Sequence, residues 1–502
     1  MKNFKTIFYF EWVQLKRSSL KLWLLLMTVC SFYAIYYGNR SIDRQLKNID
    51  YIEVLNDSTK QVFHNYFKDK KLADSLRFGW AGMNSLYDGM TTEDYLESNV
   101  AVNRPNRFSH LSVGQRDVNP LYRRVTARSL YYDGTGITLD DKYTETNNPH
   151  KLLAGNFDLS YVFIYLFPLL IIALCYNTFS QEKEHGTFPI LSTQLLSMRK
   201  IITYKFLFRF TLVAAFVVIY SVLGYLFSPV KDIFPLSSFI LWLVVITGYM
   251  LFWFAVSYCI VSLKYGSSVS ALVLLGCWML FLILVPALIN NYIAANYKIS
   301  SRLKFVTEAG QQIGSVWDIN DSISLPMFYK AYPQHVTKPF EPLWTMDDTF
   351  DSLGMKEDLD LRYNKKIYLW HFILDANIKL HLAEYNKQII DKLTAGDRFA
   401  WFNPAVTTQQ ALNDIAASGY RHNQQFRNET AAFRDSIFTR SVNFVFGEKK
   451  LTIEDYKGYP EFSLNNINID ALAMGRVLAQ LLIASALFIL IGSVKFKTSK
   501  SP

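Results

Sequence analysis

The sequence is short of cysteine and of charge, and both shortages are patterned. Four cysteines occur in 502 residues, Cys30, Cys175, Cys259 and Cys277, and each lies inside an apolar run. The long polar stretches between those runs have none, so disulfides are excluded as their staple. Each stretch exceeds a hundred residues, enough to bury a core unaided. Charged residues make up 19% of the chain, against about a quarter in a soluble globular protein. No Gly-x-x-x-x-Gly-Lys-[Ser/Thr] loop occurs, which excludes ATP hydrolysis through a P-loop of this chain. Also missing are a His-Glu-x-x-His helix, a Gly-x-Ser-x-Gly elbow and a cysteine-rich metal site. The eight histidines are scattered; His371 and His381 stand ten residues apart, a spacing that does not bring both to one small ion. No catalytic residue, cofactor or metal ligand is expected.

What the sequence has is apolar length. Leu22–Tyr37, Leu236–Leu263 and Ser267–Tyr297 carry no charge at all. Phe157–Phe179 holds only Asp158 at its edge, Phe206–Phe227 only Arg209, and Leu472–Val494 only Arg476. Runs of about 18 or more such residues are long enough to cross a bilayer as helices. Trp23, Tyr36, Tyr37, Tyr161 and Tyr292 gather at run ends, as interfacial aromatics do. The expected fold is an α-helical polytopic membrane protein with six spans, at 21–38, 157–180, 205–228, 236–263, 267–292 and 471–494. An amphipathic interfacial helix over 1–20 precedes them and a short tail, 495–502, follows.

Six spans put both termini on one side. That side collects fourteen basic residues, from Lys2, Lys5, Lys16, Arg17 and Lys21 through Lys183, Arg199, Lys200, Lys205, Arg209 and Lys264 to the tail lysines. Against them stand three acids, Glu11, Glu182 and Glu184, while the two long polar segments are nearly balanced. The chain's +10 is therefore an inner-face excess, which places the termini in the cytoplasm and requires no nucleic acid. The insertion at 39–156 reads as mixed α/β, with helices at 40–56 and 58–76 followed by an irregular stretch. The insertion at 293–470 reads as a helical hairpin. Its first helix covers 356–393 and is capped by Gly396; its second opens at Pro404 and runs to Phe446.

The segment at 181–204 carries the chemistry of the inner face. Gly186 suits a helix end and a positive φ, Thr187 an N-cap, and Pro189 the first turn of a new helix. Phe188, Leu191 and Leu195 would give that short helix an apolar face able to dock into a partner's groove. Glu182 and Glu184 are acids on a basic face, and a basic site on a partner would offset their repulsion from anionic lipid.

The run Glu182, Glu184, Gly186, Thr187, with Leu191 four residues on, a basic pair at Arg199-Lys200 and Lys205 opening the next span, resembles the signature of type-2 ABC exporter permeases. The family's proline step is replaced here by Leu196-Ser197-Met198-Arg199. A second pattern, Phe402-Asn403-Pro404-Ala405 followed by Gln409, Leu412, Asn413, Ile415, Arg421, His422 and Phe426, resembles a bacterial subfamily with large outer insertions after the first and fifth spans. The resemblance implies a permease of the bacterial inner membrane with periplasmic insertions. It implies ABC ATPase subunits that hold ATP and Mg, a second permease, membrane lipids around the spans and an envelope protein at the insertions. Coupling to the ATPase is expected through Glu182, Glu184, Gly186, Thr187, Phe188, Leu191 and Leu195. The alternative is a signalling protein that moves its insertions and transports nothing.

Overall fold

The computed structural model describes residues 2–68, 99–125, 156–184, 186, 197–231, 236–299, 311, 319–336, 357–447, 460–464 and 470–498. Among these, six helices are long and apolar enough to cross a membrane. Helix α1, Lys2–Arg17, precedes them. The spans are α2 (Leu20–Lys68), α3 (residues 159–175, continued by the short α4, Ser180–Glu184), α5 (Met198–Leu226), α6 (Leu236–Val261), α7 (Ser267–Asn296) and, last in the chain, α12 (Ala471–Thr498). The second insertion supplies α8 (Asp321–Ala331), α9 (Glu357–Ala400), α10 (Pro404–Ile415) and α11 (Tyr420–Phe446). Among the described residues one strand pair occurs, β1 (Asn99–Val102) with β2 (Tyr122–Val125), antiparallel and from the first insertion.

The expected break after residue 38 is corrected. One helix of 49 residues runs through the first span, across the helix expected at 40–56 and into the one expected at 58–76, as far as Lys68; residues 69–76 lie outside the described residues. Gly38 lies inside this helix and serves a close approach. A Cβ at Gly38 would lie 1.8 Å from the His110 carbonyl oxygen, so only glycine lets that backbone pass.

Two spans contain proline, and both handle it identically. Five-residue π-turns, Val162–Leu166 in α3 and Leu280–Leu284 in α7, each stand two residues ahead of Pro168 and Pro286. Proline has no N–H, so a carbonyl one turn back loses its partner, and in hydrocarbon that loss must be made good. Ile164, four residues before Pro168, gives its carbonyl to the Tyr249 hydroxyl at 3.1 Å. Phe281, five before Pro286, gives its carbonyl to Asn403 Nδ2 at 2.7 Å.

The bundle core is built around α3 and α6, the two most enclosed spans. Trp242, Tyr249 and Trp253 of α6 are fully buried in it. Helix α10 belongs to this core too, since Ala405, Ala411, Leu412 and Ile415 pack among the spans, against α6, α12 and both π-turns. A second core joins the two insertions. Ala101 and Val125 of the strand pair are buried with Leu325, Phe328, Tyr368, Phe426 and Ile437 of the helices. Among the described residues, the insertions expected as separate domains therefore share one interior.

The expected hairpin is corrected in two places. Helix α9 passes Gly396 and ends at Ala400; Gly396 instead faces Ile293 of α7. The helix expected from Pro404 to Phe446 breaks between α10 and α11, where Ala417 takes φ +51°. An alanine in the left-handed region is costly by about 1 kcal/mol or more, and buried hydrogen bonds described below hold it there.

Candidate functional site: buried polar clusters at the two ends of one helix

Helix α3 begins beside Asp158, and Thr178 stands in the turn that joins it to α4. The two lie twenty residues apart, about 30 Å at helical rise. A buried polar cluster sits at each end.

The cluster at the Thr178 end is ionic. Lys205 and Arg209, one turn apart on α5, project to the same side and meet Glu11 of α1. Arg209 Nε and Nη2 donate to Glu11 Oε2 at 3.1 and 2.9 Å. Arg209 Nη1 donates to the Leu174 carbonyl and, at 2.5 Å, to Thr178 Oγ1. Lys205 Nζ lies 3.3 Å from Glu11 Oε1 and 2.6 Å from Glu182 Oε1. Glu11, Lys205 and Arg209 are each no more than 6% exposed. Two acids and two bases give a buried set with no net charge, the condition under which buried ions are tolerated. Phe8 of α1 packs edge-on against Phe208 at 5.0 Å, so α1 is fixed to α5 by apolar contact as well.

Next to this cluster stands the segment singled out from the sequence. Glu184 Oε1 accepts from the Ser267 backbone N–H at 3.1 Å and from its hydroxyl at 2.7 Å. A carboxylate there satisfies orphan donors at the N-terminus of α7 and opposes the positive end of its dipole. Gly186 has φ +69° and nothing within 4 Å of where a Cβ would stand. Conformation rather than space demands glycine there. Within this chain Glu182 thus meets Lys205, and Glu184 caps α7 at Ser267. Thr187, Phe188, Leu191 and Leu195 lie outside the described residues, as does Pro189.

The cluster at the Asp158 end is mostly neutral. Asp158 caps α3, accepting from Tyr161 N at 2.9 Å and Ser160 Oγ at 2.8 Å, and it also takes Val113 N at 2.8 Å. Burial pushes its carboxyl up to about 6 despite these donors. Ser112 Oγ bonds Ser160 Oγ at 3.0 Å and Asn413 Oδ1 at 2.7 Å, and Gln409 reaches both Ser160 and Asn413. Arg116 is 2% exposed. Its donors go to Gln45, Asn103 and the Ala417 carbonyl, all neutral. Burial lowers its guanidinium to about 9. His422 Nε2 and Arg116 Nη1 share Asn103 Oδ1, at 2.7 and 3.2 Å. Burial and then the Arg116 charge hold His422 neutral, lowering it to about 3. The Arg116 bond to Ala417, with Ser109 Oγ on Ala416 at 2.8 Å and Asn106 Nδ2 on Ile415 at 2.9 Å, fixes the left-handed turn between α10 and α11. This cluster ties the first insertion, the second insertion and the head of α3 together.

Sequence reasoning singled out Asn403, Gln409, Asn413 and His422 by pattern without a role. The structure places Gln409, Asn413 and His422 in the second cluster, and Asn403 on the Phe281 carbonyl of the α7 π-turn. It missed Glu11, Arg116 and Gln480. Their signal was a lone polar or charged residue in an apolar or turn-rich setting, which identifies no partner by itself.

Residues 306–465 match a family described as a domain of unknown function (DUF3526). No curated protein and no solved structure matches the chain.

Proposed function

We propose that this chain is the membrane-spanning permease subunit of a type-2 ABC exporter, working with separate ATPase subunits that hold ATP and Mg and with a second permease. The observation that carries the reading is the anchoring of the segment at 182–186. Glu182 is tied to α5 and, through Lys205, to α1; Glu184 is tied to the start of α7. A push delivered to this segment reaches three helices at once, on the face where the basic residues gather. That is what a receiver of mechanical work from an ATPase needs. The missing P-loop fits a chain that receives such work and does not generate it. On this reading the basic face is cytoplasmic, the membrane is the bacterial inner membrane, and the insertions are periplasmic.

The test is co-expression with candidate ATPases encoded beside it, followed by ATPase assays in liposomes. Glu184→Lys and Leu191→Asp should lose stimulation of the ATPase or assembly with it while still inserting into the membrane. Lys497→Ala and Lys500→Ala should change neither. Loop variants that assemble and stimulate as well as wild type would overturn the coupling assignment. The unbroken α2 supports a second reading, in which movement of the insertions is itself the output and no substrate crosses. Transport assays that stay silent while the ATPase remains coupled would favour it.

A further inference from the structure

We propose that Arg123 of β2 and Arg427 of α11 form a binding site for the phosphate monoester group of a soluble ligand. Nothing in it depends on the permease reading.

The fold brings the two side chains together. Val125 of β2 and Phe426 of α11 are buried in the core that joins the insertions, and β2 packs on α11. Alternate residues of a strand share a face, so Arg123 stands on the same face of β2 as Val125. Arg427 directly follows Phe426. Tyr420, seven residues ahead on α11, is two turns away and shares its helical face. The titratable groups that act on Arg427 are Arg123 from β2, Tyr420 from its own helix and Tyr385 from α9. Among the described residues none of these is a carboxylate.

The pair is costly as it stands. Both arginines are half-buried. Burial, followed by the Arg123 charge, lowers the Arg427 guanidinium from its ordinary value. Arg123 Nε is buried with no hydrogen-bond partner. Other buried arginines of the chain are compensated: Arg209 by Glu11, Arg434 by Asp375, and Arg116 by Gln45, Asn103 and the Ala417 carbonyl. Like charges held together and partly desolvated destabilise a fold until an anion joins them.

Charge selects the anion. A guanidinium fork matches the oxygens of a carboxylate or a phosphate. A carboxylate brings one negative charge and leaves the second arginine uncompensated. A phosphate monoester carries about −1.5 to −2 at pH 7 and three acceptor oxygens, so it can balance both guanidiniums and accept from each. Position selects the source. Arg427 lies about 10 Å along α11 beyond Tyr420, where that helix starts. Its neighbours belong to the core of the insertions and not to that of the spans. A phosphate arrives there from water.

The experiment titrates the full chain, in detergent and phosphate-free buffer, with glycerol 3-phosphate, reading the thermal midpoint and the calorimetric heat. The expected result is a saturable rise in midpoint that acetate at equal ionic strength does not produce. Arg123→Gln and Arg427→Gln should each weaken binding about tenfold or more, the worth of a charge-assisted hydrogen bond. Lys47→Gln, at an exposed ion pair, should respond as wild type. Without ligand, Arg427→Gln should melt no lower than wild type, because it removes a repulsion and strands no partner. Equal responses to acetate and glycerol 3-phosphate would overturn the proposal. So would a lower ligand-free midpoint for Arg427→Gln together with an unchanged response to glycerol 3-phosphate, which would make the pair structural. An arginine-dependent shift seen only in liposomes that contain phosphatidic acid would overturn the soluble source.

Discussion

The two ends of α3 solve one problem by different means. Both ends bury polar side chains where several elements meet. The Thr178 end does so with opposed charges, Glu11 and Glu182 against Lys205 and Arg209. The Asp158 end does so with amides, hydroxyls and backbone groups, and its two charges, Asp158 and Arg116, are each satisfied by neutral partners. The difference teaches what each junction tolerates. An ionic cluster is strong only while every member is present, since removing one leaves an uncompensated buried charge. A neutral network loses less per member and is distributed over more elements.

The sharpest way to break the comparison is Arg209→Ala. It leaves Glu11 and Glu182 to share Lys205 alone, one buried negative charge uncompensated, and the cost should be about 3–5 kcal/mol, read as a lowered thermal midpoint in detergent and as protease access to α1. Changing Glu11→Met and Arg209→Leu together should recover part of that loss. A double variant as poor as the single one would show that the charges matter for more than their mutual compensation. At the other end Asp158→Ala leaves the Val113 and Tyr161 N–H groups without their acceptor, costing about 1–3 kcal/mol. Asp158→Asn, which keeps an acceptor oxygen, should cost less than Asp158→Ala. If the order of the two ends were reversed in the same assay, the contrast drawn between them would fail.

The smallest effect concerns pH. His422 is held near 3 in the fold against an ordinary value near 6.5, so the stability it contributes is present above 6.5 and is lost as pH falls. Asp158 and Asp414, raised to about 6 chiefly by burial, work the other way: their contribution is present below their ordinary value and is lost as pH rises through 6. Between pH 7 and 5 these trends oppose, and the profile should be shallow. His422→Gln keeps an N–H for Asn103 and removes the falling term. Its stability should rise relative to wild type by about 1–2 kcal/mol over that interval, at 1.36 kcal/mol per unit. Parallel profiles for the two proteins would show that His422 does not titrate against the fold.

The spans were legible because charge-free length is a local property of sequence and a bilayer demands it. The pairing of Glu182 with Lys205 was not, since neither residue's neighbours record a contact across 23 positions. The boundary placed after residue 38 falls inside α2, and the glycine there reads the same whether it ends a helix or admits another backbone. The break at Ala417 includes Gly419, the N-cap of α11, but the bond that holds its left-handed turn comes from three hundred residues away, in Arg116. The uncharged run at 399–413 was visible but shorter than a span, so length alone did not reveal that it enters the bundle.

Helix α2 gives the molecule gearing. Its 49 residues make a rod about 74 Å long that has one foot among the spans and its head in the first insertion. Gly38, where a hinge looked natural, is instead pinned by the passing His110 backbone. A rod without a hinge cannot absorb rotation at its foot. A tilt of about 5° in the membrane appears as about 6 Å of sweep at the far end, given the helix's length. Motions too small to open anything within the bundle thus become large displacements beyond it.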